Sequence, residues 1–228
     1  MPERVLAAEG SSAVGFFGKV PSRGDFVQRS LPASFTTAWD RWLQAGIAGS
    51  QEVLGDAWLE VYLTSPVWRF ALAAQLAGDR AAAGVLIPSV DSVGRYFPLT
   101  VACMLPCETT PAQIRAQAAW FDEAQALALG VLEEKASLEG LIAGVERLGR
   151  PAPPSLPVDS EGSIVSEGED GLMHGLIERL APPHGLLWTN GSERVRPTVI
   201  LIWQLPSPRR FCALLDGGWT GHGWTDAS

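Results

Sequence analysis

Two short segments place charged side chains among glycines, prolines and aromatic residues. They are residues 15–26, with the sequence GFFGKVPSRGDF (the first block), and residues 88–100, with the sequence PSVDSVGRYFPLT (the second block). Because burial strips an unpaired ion of its hydration, charges in such surroundings are expected to pair with one another or to be presented to a ligand. The candidate site residues are Lys19, Ser22, Arg23, Asp25, Asp91, Arg95 and Tyr96.

These residue types allow three interpretations. In the first, the charges pair internally and lock both blocks against a sheet, with Asp91 capping its own turn. Asp25 then accepts a hydrogen bond from Arg23 or Arg95. In the second, which is compatible with the first, the blocks form a rigid surface for another protein, since arginine is a frequent interface anchor. In the third, Asp25 and Asp91 act as a hydrolytic carboxylate pair near Arg95, which requires the two blocks to lie close together.

Other catalytic sites, cofactor sites and metal sites are not predicted. Gly18-Lys19 resembles the end of a phosphate-binding loop, but that motif needs glycine where Ala13 stands and serine or threonine where Val20 stands. A metal site needs converging ligands, and a hydrolytic triad of the Gly-x-Ser-x-Gly type needs a motif that the chain lacks. The histidines and cysteines are scattered: His174, His184, His222, Cys103, Cys107 and Cys212. We expect no catalytic residue, no cofactor and no metal.

The composition excludes several classes of partner. The chain has 228 residues and a net charge of −8, which opposes binding to nucleic acid or to anionic membranes. Three cysteines in a chain of this length do not indicate a secreted disulfide framework. No stretch reaches the roughly 20 uncharged residues of a membrane span, and the N-terminus lacks the apolar run of a signal peptide. We expect a soluble, cytoplasmic protein, and the sequence carries no sign of its oligomeric state.

The hydrophobic pattern predicts an α/β fold. Continuous apolar runs such as residues 99–105 are typical of strands covered on both faces. We therefore expect a three-layer sandwich, with a mixed sheet and helices on both faces. Strands are predicted at residues 13–20, 67–76, 84–88, 97–105, 185–189 and 198–205, and helices at residues 32–47, 111–147 (one long helix and a second, separated near 135–137) and 172–180.

One segment departs from this pattern. Residues 149–171 are rich in proline, serine, glycine and acidic residues, which predicts a surface excursion. Apolar patterning returns after it, so we expect residues 1–228 to form a single domain that carries this excursion. If both blocks were purely architectural, partner binding would fall to the excursion instead.

Several motifs in the same order resemble the TagF family, also called ImpM, of proteins associated with the bacterial type VI secretion system. The resemblance rests on the two blocks, on residues 39–43 (WDRWL), on residues 66–70 (PVWRF) and on residues 214–219 (LLDGGW). It implies a three-layer α/β sandwich.

The resemblance also implies a function. It implies a non-enzymatic cytoplasmic adaptor that restrains secretion after translation, by engaging a forkhead-associated (FHA) scaffold protein so that the apparatus does not assemble. Some relatives carry a PP2C-type phosphatase domain, for which this chain lacks the length. The assignment of the seven candidate residues to partner binding or loop locking comes from the residues themselves and not from the family.

Overall fold

Seven strands and six α-helices make up the part of the chain that the computed structural model describes, residues 14–152 and 184–225. The strands are β1 (Gly15–Gly18), β2 (Val27–Arg29), β3 (Trp68–Leu72), β4 (Ala81–Ile87), β5 (Leu99–Leu105), β6 (Gly185–Thr189) and β7 (Thr198–Ile202). The helices are α1 (Ala33–Leu54), α2 (Trp58–Leu63), α3 (Pro111–Arg115), α4 (Ala118–Gly130), α5 (Leu138–Leu148) and α6 (Pro208–Asp216).

The strands form one sheet in the order β2-β1-β5-β4-β3-β6-β7. The predicted α/β class is confirmed. The expected mixture of parallel and antiparallel strands is not seen, because every pairing among the described strands is antiparallel. Strands β4 and β5 are buried at all seven positions. The continuous apolar runs indicated cover on both faces, and helices on both sides of an antiparallel sheet produce such runs as well.

Two hydrophobic cores lie on opposite faces of the sheet. Helices α1, α2 and α6 cover the first face, where side chains such as Trp39, Phe70 and Phe211 are buried. Helices α3, α4 and α5 cover the second face, with Phe121 and Leu141 among its buried residues. The sheet between two helical layers is the predicted three-layer arrangement.

Some element boundaries differ from the predictions. The region expected to hold one long helix and a second holds three, because a capping box at Thr110 starts the short α3 and Ser137 caps the start of α5. The strand predicted at residues 67–76 ends at Leu72, ahead of a turn in which Gln75 has a φ of 78°. The helix predicted at residues 172–180 and most of the excursion lie outside the described residues.

The sheet brings both blocks to one end of its strands. Strand β1 pairs antiparallel with β5, and Phe17 lies opposite Thr100. Strand β4 pairs antiparallel with the same strand, and Ile87 lies opposite Leu99. The end of β1, the end of β4 and the start of β5 therefore lie together. The first block leaves the sheet at the same end at which the second block connects β4 to β5.

None of the helices within the described ranges is long and apolar enough to cross a bilayer.

Candidate functional site

A buried carboxylate, Asp91, lies at the centre of the two blocks. Its side chain is 0% exposed and accepts hydrogen bonds on both oxygens. Lys19 Nζ and Arg95 Nε donate to Oδ2 at 2.6 and 2.7 Å. The backbone N–H groups of Val93 and Arg95 donate to Oδ1 at 3.0 and 2.8 Å, so Asp91 caps its own turn as expected. We call Lys19, Asp91 and Arg95 the Asp91 cluster.

Lys19 reaches Asp91 because of the backbone that precedes it. Gly18 ends β1 with a φ of 139°, and a Cβ at this position would lie 2.1 Å from the carbonyl oxygen of Pro98. Only glycine allows this close approach between the two blocks. Lys19 is buried, and its Nζ also lies 5.3 Å from the centre of the Phe26 ring.

Further hydrogen bonds join the blocks along their backbones. The N–H of Ser92 donates to the carbonyl oxygen of Arg23 at 2.9 Å, and Ser89 Oγ donates to that of Lys19 at 2.8 Å. Arg95 Nη2 donates to the carbonyl oxygen of Gly24. Together with the Asp91 cluster, these bonds hold the two blocks in one arrangement.

Helix α2 packs against the second block. The hydroxyl of Tyr62 donates to the carbonyl oxygen of Ser89 and accepts from its N–H, both at 2.9 Å. Tyr96 is half-buried and lies edge-to-face against Trp58 and Tyr62, with ring centres 5.9 Å apart in each case. Tyr96 is thus a packing residue of the block.

The two buried acids of this region have shifted pKa values. Burial on its own raises the pKa of Asp91, but the hydrogen bonds from Lys19, Arg95 and Val93 outweigh it and hold that pKa well below its usual range. Burial raises the pKa of Tyr62 far above that of a free tyrosine, against a smaller opposing effect of its bond with Ser89. Asp91 is therefore ionised and Tyr62 is neutral at neutral pH.

The outer side of the blocks combines arginines with apolar side chains. The side chain of Arg95 is 59% exposed even though its Nε is bound to Asp91. Phe26 is 48% exposed and packs on Phe97, with ring centres 4.8 Å apart, and Val93 is 68% exposed. Arg23 extends to Glu139 of α5, at 2.8 Å from Nη2 to Oε1.

Ser22 and Asp25 are exposed, and within the described part of the chain their side chains form no hydrogen bond or ion pair. The expectation that Asp25 accepts from Arg23 or Arg95 is wrong. Arg23 is turned towards Glu139, and Arg95 is held by Asp91 and Gly24.

This geometry limits what the site can do chemically. Both oxygens of Asp91 are occupied by four donors and closed to solvent, so this carboxylate cannot attack a substrate or accept a proton from water. Asp25 lies apart on the surface and does not share these donors. Among the described residues, no group of three or more histidine, cysteine, aspartate or glutamate side chains is placed to hold a metal ion.

Three residues that contribute to the site were not predicted from the sequence. Ser89 lies inside the second block, and a serine hydroxyl can donate to a backbone carbonyl oxygen as Ser89 does to Lys19. Its role could therefore have been predicted. Tyr62 and Glu139 could not, because they lie 27 and 116 residues from their partners Ser89 and Arg23 and belong to no motif of the blocks.

The match to a protein family covers this site. The profile of the TagF N-terminal domain, described as type VI secretion system-associated, matches residues 15–148, more than half of the chain. This chain belongs to the TagF family. Its two blocks and its Asp91 cluster all lie in the region that carries the TagF match. Among curated proteins, none matches this chain.

A solved structure extends the similarity beyond the TagF N-terminal region. The crystal structure of PA0076 from Pseudomonas aeruginosa PAO1 is 39% identical in sequence and superposes with a TM-score of 0.79. The match covers 90% of this chain and 94% of PA0076. This coverage is larger than that of the TagF profile, which ends at residue 148.

Proposed function

We propose that this TagF-family protein is a cytoplasmic, post-translational negative regulator of type VI secretion that acts by binding an FHA scaffold protein and catalyses no reaction. Membership of the family associates the chain with the secretion system. The direction of the effect, the partner and the compartment are our proposal. We place the contact on a docking face made of Ser22, Arg23, Asp25, Phe26, Val93 and Arg95.

The rigid mounting of an exposed arginine carries this proposal. Arg95 has its Nε fixed on buried Asp91 and its Nη2 on Gly24, yet more than half of its side chain faces solvent. An arginine that is already ordered loses little conformational entropy when a partner binds, which is how interface anchors reach large contributions.

Exposed apolar side chains beside Arg95 support the same role. Phe26 and Val93 flank the Asp91 cluster and leave large fractions of their surfaces uncovered. Aromatic and arginine side chains together are typical of the centre of a protein–protein interface. Asp25 and Ser22 extend the face with polar groups that have no partner in the described part of the chain.

The carboxylate-pair hydrolase receives no such support. It needs two carboxylates that face a substrate, with at least one of them able to accept a proton. Asp91 has its acceptor positions filled and its pKa lowered, which suits a structural anion and not a base.

A cellular experiment tests the proposed restraint. We expect Arg95→Ala, expressed at the level of the unmodified protein, to release secretion of a type VI substrate. Arg41→Ala is the matched control, because Arg41 is exposed on α1 and forms no ion pair with the described residues. Secretion that stays restrained with Arg95→Ala, or that is released equally by both variants, contradicts the proposal.

A second experiment separates the docking face from the excursion. Deletion of residues 151–170 is expected to leave binding to the FHA scaffold intact. Loss of binding on this deletion, with the rest of the protein still folded, would move the contact away from the blocks.

A further inference from the structure

The two edges of the sheet are protected very differently. Edge strand β2 has only three residues, and two of them, Gln28 and Arg29, are exposed and polar. Arg29 is also tied to Glu146 of α5, at 2.8 Å from Nη2 to Oε1. Short, charged edges of this kind are the usual means by which proteins prevent unwanted strand pairing.

The other edge strand, β7, is longer and has no charged side chain. Its sequence TVILI contains no charge and no proline, and it pairs with β6 over five consecutive residues without a bulge. On its outer side it has no neighbouring strand in the described part of the chain. Val199 is 46% exposed, and Leu201, two residues further on the same face of the sheet, is partly exposed.

An aromatic groove continues from the end of β7. It has a volume of about 310 Å³ and is lined by Trp203, Leu205, Pro206, Arg210 and Trp224, among others. Trp203 is 59% exposed. The groove is rigid on one side, because Trp224 Nε1 donates to the carbonyl oxygen of Arg210 at 3.0 Å and the Arg210 guanidinium lies 5.1 Å from the centre of the Trp224 ring.

The charge around this edge is opposite to that of the whole protein. Residues 184–228 contain four arginines and three carboxylates, Glu193, Asp216 and Asp226, in a chain of net charge −8. Arg194 is paired with Glu60. The remaining three form no ion pair with the described residues: Arg196, Arg209 and Arg210. Arg196 lies two residues before β7, and Arg210 lines the groove. Arg209 and Arg210 each donate one hydrogen bond to a backbone carbonyl oxygen, of Gly221 and Gly223 respectively.

We propose that β7 and this groove form a second binding surface, which adds an extended, acidic peptide segment of another protein as an eighth strand of the sheet. Backbone hydrogen bonds along β7 supply the general affinity, and alternate apolar side chains of the peptide lie against Val199 and Leu201. The part of the peptide that extends past Ile202 reaches Trp203 and the groove. Arg196 precedes the start of β7, and Arg210 lines the groove beyond its other end. Acidic residues at one end of the peptide therefore meet an arginine whichever way the peptide runs. A second copy of this chain fits less well, because it would bring two positively charged edges together.

This surface is separate from the docking face. Strand β7 lies five strand spacings from β1, which is roughly 24 Å across the sheet. A failure of one proposal therefore leaves the other testable. Arg95→Ala is expected to leave peptide binding at β7 unchanged.

The test uses a panel of synthetic peptides. Each peptide alternates threonine with valine, isoleucine, phenylalanine or tyrosine and ends in three aspartates, and each is matched by a peptide ending in three lysines. Hydrogen exchange of residues 198–202 and calorimetric titration are measured on the full chain. We expect at least one aspartate peptide to slow exchange in β7 and to bind at least about tenfold more tightly than its lysine counterpart.

Two variants and a control complete the test. Val199→Lys places a charge on the exposed edge, and Trp203→Ala opens the groove without changing the strand; each is expected to weaken binding by at least about tenfold. Leu132→Lys, at a residue of similar exposure to Val199 that lies beyond α4, should bind as the unmodified chain does.

Three results overturn the proposal. The first is that no aspartate peptide slows exchange in β7. The second is that the lysine peptides bind as tightly as the aspartate peptides. The third is that the chain forms a dimer in solution that Val199→Lys dissociates, since a second copy then occupies the edge.

Discussion

Among single residues, Asp91 determines both how the blocks are joined and where Arg95 lies. A buried carboxylate is stable only when donors replace the water that it loses, and Asp91 has two cationic and two backbone donors. One of these cations, Lys19, is buried with it, whereas the other, Arg95, reaches the surface. The same carboxylate therefore locks the blocks from inside and orients an arginine outside.

Replacement of Lys19 tests whether its buried ion pair with Asp91 stabilises the fold. Lys19→Met keeps most of the side-chain volume but leaves Asp91 without its buried cation, so we expect the melting temperature at neutral pH to fall by roughly 10 °C. The chain contains one other lysine, Lys135, which is exposed. Lys135→Met should change the melting temperature by no more than about 2 °C. Similar melting temperatures for the two variants would show that the buried ion pair does not stabilise the fold.

The lowered pKa of Asp91 predicts a pH dependence of stability. The folded-state pKa lies below the unfolded value of about 3.9, so the unfolded chain binds a proton that the folded chain does not. The stabilising contribution is complete above about pH 5 and is lost as the pH falls through the unfolded and then the folded value.

Urea unfolding of Asp91→Asn against the unmodified chain measures this contribution. The variant is expected to be less stable at pH 7, and the difference should shrink progressively below about pH 4. A difference that stays constant from pH 7 to the acid range would mean that Asp91 is not held as an anion.

At the scale of the element, strands place the blocks and tryptophans fix the helices around them. Strands β1, β4 and β5 bring the blocks to one end of the sheet. Trp39 of α1 donates from Nε1 to Thr100 Oγ1 at 2.9 Å, at the end of the second block. Trp68 of β3 donates to the carbonyl oxygen of Leu214 in α6 at 2.9 Å. The motifs at residues 39–43 and 66–70 thus contribute their tryptophans to the architecture.

Helices α1 and α6 pack closely where Gly46 lies against Phe211. A Cβ at Gly46 would lie 2.5 Å from the ring of Phe211, so Gly46→Ala should lower the free energy of unfolding by about 1 to 3 kcal/mol. The matched control is Gly130→Ala at the end of α4, where no atom lies within 4 Å of the added Cβ. It should leave stability unchanged or raise it by up to about 1 kcal/mol. Equal effects in denaturant unfolding would contradict the helix packing described here.

The sequence indicates the two blocks and most of the elements, but not how they are joined. No element was predicted at β2, α2 or α6. Hydrophobic runs and turn residues depend on local physics, so strands such as β5 and the start of α1 are placed within a few residues. The direction of strand pairing depends on contacts between distant segments. Continuous apolar runs do not reveal it, because they arise in any sheet that is covered on both faces. The partner of Arg23 is a glutamate 116 residues away, which no local pattern reveals.

At the scale of the whole molecule, the sheet separates two candidate interaction surfaces. The docking face lies at one end of β1, β4 and β5, and the unprotected edge lies at β7. Strands β6 and β7 fall beyond the residues that the TagF profile matches, yet they extend the same sheet. This continuity supports our proposal that residues 1–228 form one domain, with the segment at 149–171 as an excursion from it.

Calorimetric titration of the purified chain with the FHA scaffold protein measures the proposed interaction itself. We expect the unmodified chain to bind, and Arg95→Ala to weaken binding by about 1 to 3 kcal/mol, which is roughly 5- to 150-fold in Kd. Because Lys19 still holds Asp91, the melting temperature of Arg95→Ala should fall by only a few degrees, and Arg41→Ala should bind as the unmodified chain does. The proposed regulator role is wrong if the unmodified chain does not bind the scaffold, and the proposed docking face is wrong if a folded Arg95→Ala binds it with undiminished affinity.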